Sequence, residues 1–239
     1  MYDSDSVSSR LSGHLSTDSD ISNYSSSLLV KFRLGWSIVC AIGSQNDSYH
    51  PNVLRLSIIR SSFDRVVITL FRRLPLVVQS LTKSIIPGYF LPSKVVIKKL
   101  KPGWNDEFNN EKSMYERLLC LQGTLIPKYF GETTVHNTRA LILSEVDGVE
   151  ACNQKFPCLE APEFRHRVEE AFAELAQFGL AYGDLKLDNF LLVGDRVIIV
   201  DLESVWEDTP DEIEYANETH VEHLISMYER HLEGMSNDG

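Results

Sequence analysis

Residues 181–203 read AYGDLKLDNFLLVGDRVIIVDLE, and the reading of the whole chain turns on them. Two apolar runs, Leu191-Leu192-Val193 and Val197-Ile198-Ile199-Val200, flank Gly194-Asp195, and a glycine-first two-residue connection between such runs signals a hairpin. Pairing Val193 with Arg196 sets Asn189 opposite Val200, so Asn189 and Asp201 meet at one end of that hairpin. An amide oxygen and a carboxylate held there are hard-oxygen ligands of the kind Mg²⁺ takes, with water and phosphate oxygens completing its shell. Asp184 and Lys186 occupy the loop just before. In that place a carboxylate can accept a hydroxyl proton and an ammonium can neutralise a phosphoryl group in transfer.

Working outward, the residues from Leu28 to Leu100 contain short runs rich in Val, Ile and Leu: 28–34, 36–42, 53–60, 65–71 and 94–100. They predict a region made mostly of sheet, with Ser61–Asp64 as a hairpin link and 73–93 as a longer connection broken by prolines and Gly88. After Pro102-Gly103 the period changes, and a helix over 105–120 is expected, with Asn105 as N-cap and Phe108, Tyr115, Leu118 and Leu119 on one side. Glu111 falls within that apolar stripe, where a carboxylate needs a partner. Residues 139–146 read as a buried strand closed by Asp147-Gly148. A helix opens near Pro162 and stops at Gly179, and another spans about 216–232.

With these pieces in order a resemblance emerges. Asp184-Leu-Lys-Leu-Asp-Asn189 resembles the D-L-K-x-x-N catalytic loop of protein kinases, and Asp201-Leu-Glu203 resembles their DFG. Val95-Val96-Ile97-Lys98 is similar to the V-A-I-K strand, and Glu111 to the helix glutamate that pairs with its lysine. Each motif alone is weak, whereas five in this order are specific. The resemblance covers roughly residues 53–235 and is to the compact kinase-like proteins common in fungal genomes. It implies that Asp184 and Lys186 are catalytic, that Lys98 and Glu111 serve ATP, that Asn189 and Asp201 hold Mg²⁺, and that Glu145 and Val146 line the adenine through backbone atoms.

The departures are equally specific. No Gly-rich loop is visible, and Ser61–Asp64 stands where one is expected; Gly183 precedes the loop aspartate, and Tyr182 replaces the usual histidine. Gly-Asp is closer to the loops of atypical kinases and small-molecule phosphotransferases, while Lys186 points back to protein kinases. Glu203 takes the glycine's place and reads as a surface or supporting carboxylate; 36 residues follow it without an A-P-E triplet.

The fold class expected is therefore α+β, a two-lobed protein-kinase-like fold with a β-rich N-lobe and a short helical C-lobe. Residues 1–27, eleven of them serine, are expected to be a disordered leader, 28–146 the N-lobe and 147–239 a truncated C-lobe. The expected function is transfer of the γ-phosphoryl group of ATP, with Mg²⁺, to a hydroxyl acceptor. The alternative is a pseudokinase that binds nucleotide or scaffolds without turnover.

Composition agrees with a globular chain: 239 residues, 43% hydrophobic, with a formal net charge of −11. The charge is segregated, at +10 over residues 21–104 and −18 over 105–239. A uniformly anion-repelling body is thereby excluded, since the basic half can face phosphates. Four scattered cysteines exclude a disulfide scaffold and a zinc site at finger spacing. No apolar run approaches the ~18 residues of a membrane span. An intracellular, cytoplasmic location, with no nucleic acid and no membrane as partner, completes the expectation.

Overall fold

A computed structural model describes residues 28–45, 50–71 and 73–237. The expected leader, 1–27, lies outside the described residues. A six-stranded antiparallel sheet contains β1 (Leu28–Leu34), β2 (Ser37–Gln45), β3 (Val53–Ile59), β4 (Lys94–Lys99), β5 (Tyr129–Val135) and β6 (Thr138–Ser144), in the order β1-β2-β3-β4-β6-β5. Period-two alternation explains it: Val30, Phe32 and Leu34 turn inward on β1 while Lys31 and Arg33 turn out. The sheet curls until its edges approach, and the Thr133 hydroxyl of β5 donates to the Arg33 carbonyl of β1 at 2.6 Å.

Between β3 and β4 the structure overturns two expectations. Residues 65–71 are not a strand and Ser61–Asp64 is not a hairpin: α1 (Ser62–Phe71) starts there, and α2 (Leu76–Ile85) occupies the expected connection. The cause is a reciprocal cap, in which the Ser61 N–H donates to Asp64 Oδ2 at 2.8 Å and the Asp64 N–H to Ser61 Oγ at 3.1 Å. Two satisfied helix-start donors override the β preference of Val66-Val67-Ile68. His50, just before β3, and Val53 at its start line the cavity described below.

The second half is carried by α3 (Asn105–Arg117), α4 (Ala161–Ala176) and α5 (Pro210–Asn237). Trp104, not Asn105, is the N-cap of α3, and Leu119 is exposed rather than on its buried side. Short strands complete it: β7 (Val149–Glu150), β8 (Leu180–Tyr182), β9 (Phe190–Val193), β10 (Arg196–Ile199) and β11 (Val205–Glu207). Phe164, Val168, Phe172 and Leu175 of α4 join Leu224, Ile225 and Tyr228 of α5 in one core, to which α3 also belongs. A second core fills the curl of the sheet. The fold is α+β with two lobes, a sheet-rich first and a short helical second, and the cysteines are free thiols.

Candidate functional site

The hairpin read from the sequence forms in the expected register, Val193 opposite Arg196, and the Val200 N–H donates to the Asn189 carbonyl at 3.1 Å. Asn189 and Asp201 thereby flank one cavity. Lys98 reaches it from β4, a strand covered on both faces, with Val95 and Ile97 turned into the sheet core. Val53, Val96, Leu143 and Leu191 supply apolar walls, and Glu145 and Val146 close one side. Lys186 and Asp188 line it from the loop. The backbone of Glu145 and Val146 makes no strand hydrogen bond among the described residues, since β6 ends at Ser144.

At the back of this cavity the Lys98 ammonium stands among three carboxylates, 2.8 Å from Glu111, 2.8 Å from Asp201 and 3.0 Å from Glu203. Glu111 is fully buried, and Lys98 is the partner its place on the apolar stripe required. Burial pushes the Glu111 carboxyl up to about 7 against the pull of Lys98, with the Asp201 and Glu203 charges adding to the rise. Burial pushes Asp201 the same way, but the Lys98 ammonium and the Glu203 N–H hold its carboxyl below the ordinary value. For Lys98, burial opposes the charge and the three anions outweigh it, so its proton is held more firmly than in water.

Of the two readings of Glu203, a surface or a supporting carboxylate, the structure has the second. Its two oxygens bridge Lys98, at 3.0 Å, and Lys101, at 2.7 Å, and Lys101 also lines the cavity. Lys101 was not singled out from the sequence, where its place two residues after Lys99 was the available signal, and the contact of Glu203 with Lys98 was not read from it either.

Asp184 is placed differently from the rest. It does not line the cavity; Lys186 donates to its Oδ2 at 3.0 Å, which raises the Lys186 ammonium's hold on its proton. The Asn189 side-chain nitrogen donates to the Asp184 carbonyl at 3.1 Å, which fixes the loop and leaves the amide oxygen as an acceptor. Tyr182, at the histidine's place, is buried and packs its ring 5.6 Å from that of Phe190, while its carbonyl meets His220 Nδ1 at 2.9 Å. His50 Nε2, from the β2–β3 link, lies 3.5 Å from Asp188 Oδ2, so the two lobes touch at the cavity mouth.

No protein-family model matches the chain, and no curated protein matches it in sequence. Two solved structures are similar to it: the PknI kinase domain of Mycobacterium tuberculosis as a single mutant, at 15% identity and a TM-score of 0.49 over 78% of this chain and 73% of that one, and a double mutant of the same domain, at 14% identity and a TM-score of 0.49 over 78% and 74%. Among the described residues no helix is long and apolar enough to cross a membrane.

Proposed function

We propose that the chain is an ATP-dependent phosphotransferase of the protein-kinase kind, moving the γ-phosphoryl group to a hydroxyl acceptor. The observation that carries this reading is the convergence of Lys98, Asp201 and Asn189 on one cavity, with Lys98 2.8 Å from Asp201 and 2.8 Å from the buried Glu111 behind it.

Each part has a physical task in this reading. Glu111 holds the Lys98 ammonium in place to meet the α and β phosphates, and the apolar walls take the base, whose polar edge meets the unbonded backbone of Glu145 and Val146. The Asn189 amide oxygen and the Asp201 carboxylate fit a hard divalent cation, because both are oxygen donors and the amide nitrogen is already engaged. Mg²⁺, when bound there, neutralises phosphate charge. Asp184 orients the acceptor hydroxyl and takes its proton, once Lys186 releases its oxygen to the transferring phosphoryl. The Glu145–Val146 connection serves as the hinge between residues 28–146 and 147–239.

The test is Mg-ATP binding by calorimetry together with acceptor-free ATP turnover. Wild type is expected to bind and turn over, Asp201→Asn to lose both, and Asp184→Asn to bind normally while losing turnover. Full phosphotransfer by an Asp184→Ala protein would sink the mechanism. A second reading, a pseudokinase that binds nucleotide without turnover, is favoured by Glu203, which occupies Lys98 with an extra anion. A nucleotide-dependent thermal shift without turnover across an acceptor panel selects it.

A further inference from the structure

The two helices between β3 and β4 leave most of their apolar surface open. Only Ile68 of α1 is fully buried, while Phe63, Val66 and Leu70, at i, i+3 and i+7, form an outward stripe. No residue of α2 is fully buried, and Val77, Leu81 and Ile85 recur at four-residue spacing along its open side. The Trp36 N–H donates to the Ile85 carbonyl at 3.2 Å, which ties the β1–β2 turn to the end of α2 with Trp36 81% exposed. Ile38 of β2 shares a small hollow with Ile68, so the open surface runs on from helix to sheet.

The segment that carries this face is rich in basic residues, of which Lys94 turns to Glu145, 3.4 Å away. From Arg60 to Lys94 the chain has six basic residues and one acid, Asp64, and the Asp64 carboxylate is engaged by the N–H and hydroxyl of Ser61. On the exposed side of β1, Lys31 and Arg33 alternate with the inward residues, and Arg33 stands opposite Ile38. This lies within a protein whose net charge is −11.

We propose that this face docks on an anionic lipid bilayer, with α1, α2 and the Trp36 turn lying in the headgroup layer. A contiguous apolar surface of this extent marks an interaction site. Aliphatic, Phe and Trp side chains interspersed with Arg and Lys are the composition that interfacial helices use, the apolar groups entering the boundary layer and the cations meeting lipid phosphates and carboxylates. A second copy pressing the same face would bring two basic fields together, which opposes self-pairing. Interfacial docking needs no spanning run, so the lack of one does not bear on it. None of these residues lines the Lys98 cavity, and the surface can be altered without touching the proposed nucleotide site.

The test is co-sedimentation of the full chain with phosphatidylcholine vesicles, with and without phosphatidylserine. Binding is expected only when phosphatidylserine is present and is expected to weaken with added salt. Leu81→Glu and Arg73→Glu should each reduce it about tenfold, the first through lost apolar insertion and the second through charge. Near-UV circular dichroism of each variant confirms the fold, and Val77→Ser is a milder apolar variant should Leu81→Glu perturb it. Absence of binding, or equal binding to both vesicle types, overturns the proposal. So does a dimer in sedimentation equilibrium that Leu81→Glu dissolves, since the face would then be a contact between copies.

Discussion

Lys98 Nζ lies 3.0 Å from Glu203 Oε1. Glu203 is the third residue of the Asp-Leu-Glu triplet, two positions past Asp201, whose Oδ1 is 2.8 Å from the same ammonium. With glycine in that place Lys98 would face two carboxylates; Glu203 adds a third and links it to Lys101. On the proposed function, nucleotide phosphates that approach Lys98 must therefore compete with a carboxylate already in contact.

Relief of that competition is the first prediction. Glu203→Gln keeps the shape of the side chain and removes its charge, while Lys98 retains Glu111 and Asp201. Mg-ATP affinity is expected to rise about tenfold, near 1.4 kcal/mol and comparable to one charge-assisted hydrogen bond. Calorimetric titration measures it, and an unchanged or weaker affinity would show that Glu203 does not oppose the nucleotide.

Removing Lys98 should cost stability as well as binding. Glu111 is fully buried, and without the ammonium it keeps only carboxylate neighbours and the Leu202 N–H, 3.4 Å away. Lys98→Met is expected to destabilise the fold by about 3–5 kcal/mol, the usual cost of stranding one partner of a buried pair. Lys98→Met combined with Glu111→Leu should recover most of that loss without restoring nucleotide binding. Urea unfolding of the three variants checks it, and additive losses would refute the coupling.

The raised Glu111 carboxyl has a pH consequence. An unfolded glutamate loses its proton near 4.5, whereas burial shifts this one up to about 7, so between those values the folded state binds the extra proton. The contribution of Glu111 to stability is therefore fully present below pH 4.5, declines as pH rises and levels off above about 7. Asp201 has the opposite sign, because its lowered carboxyl stabilises the fold above its ordinary value and loses that stabilisation on acidification. The difference between wild type and Glu111→Gln isolates the first effect. Denaturant midpoints between pH 4.5 and 7.5 should fall more steeply with rising pH in the wild type.

Much of this site was legible because its geometry is local. The Val193–Arg196 register follows from two apolar runs around Gly194, and it alone places Asn189 beside Asp201. The pairing of Lys98 with Glu111 was legible because a carboxylate on an apolar helix face demands a cation. Glu203 was not, since its direction is set by a turn in which its own N–H donates to Asp201 Oδ1 at 3.0 Å. A three-residue string carries no sign of that turn. The α1 helix was missed for a related reason: Val66-Val67-Ile68 has strand propensity, and the decision lies with the cap at Ser61, five residues before Val66, whose acid is Asp64 rather than the commoner Glu.

Gly183, the residue before Asp184, is required by Trp206. A Cβ at Gly183 would stand 2.7 Å from Trp206 Cζ3, on an indole that is partly exposed and has the His220 ring beside it, with centroids 5.8 Å apart. The two residues lie at the paired strands β8 and β11, where the Gly183 N–H donates to the Ser204 carbonyl at 3.0 Å. Gly183→Ala must therefore displace either Trp206 or the loop that begins at Asp184. In the proposed mechanism a shift of the loop by a fraction of an ångström misaligns the proton acceptor Asp184 more than it disturbs binding, so turnover should fall roughly 10- to 100-fold while Mg-ATP affinity stays within about twofold. Trp206→Ala in the same chain removes the clash and should restore most of the turnover. Steady-state kinetics and nucleotide titrations of both variants decide it, and a Gly183→Ala protein with full turnover would show that Trp206 does not position the loop proposed to be catalytic.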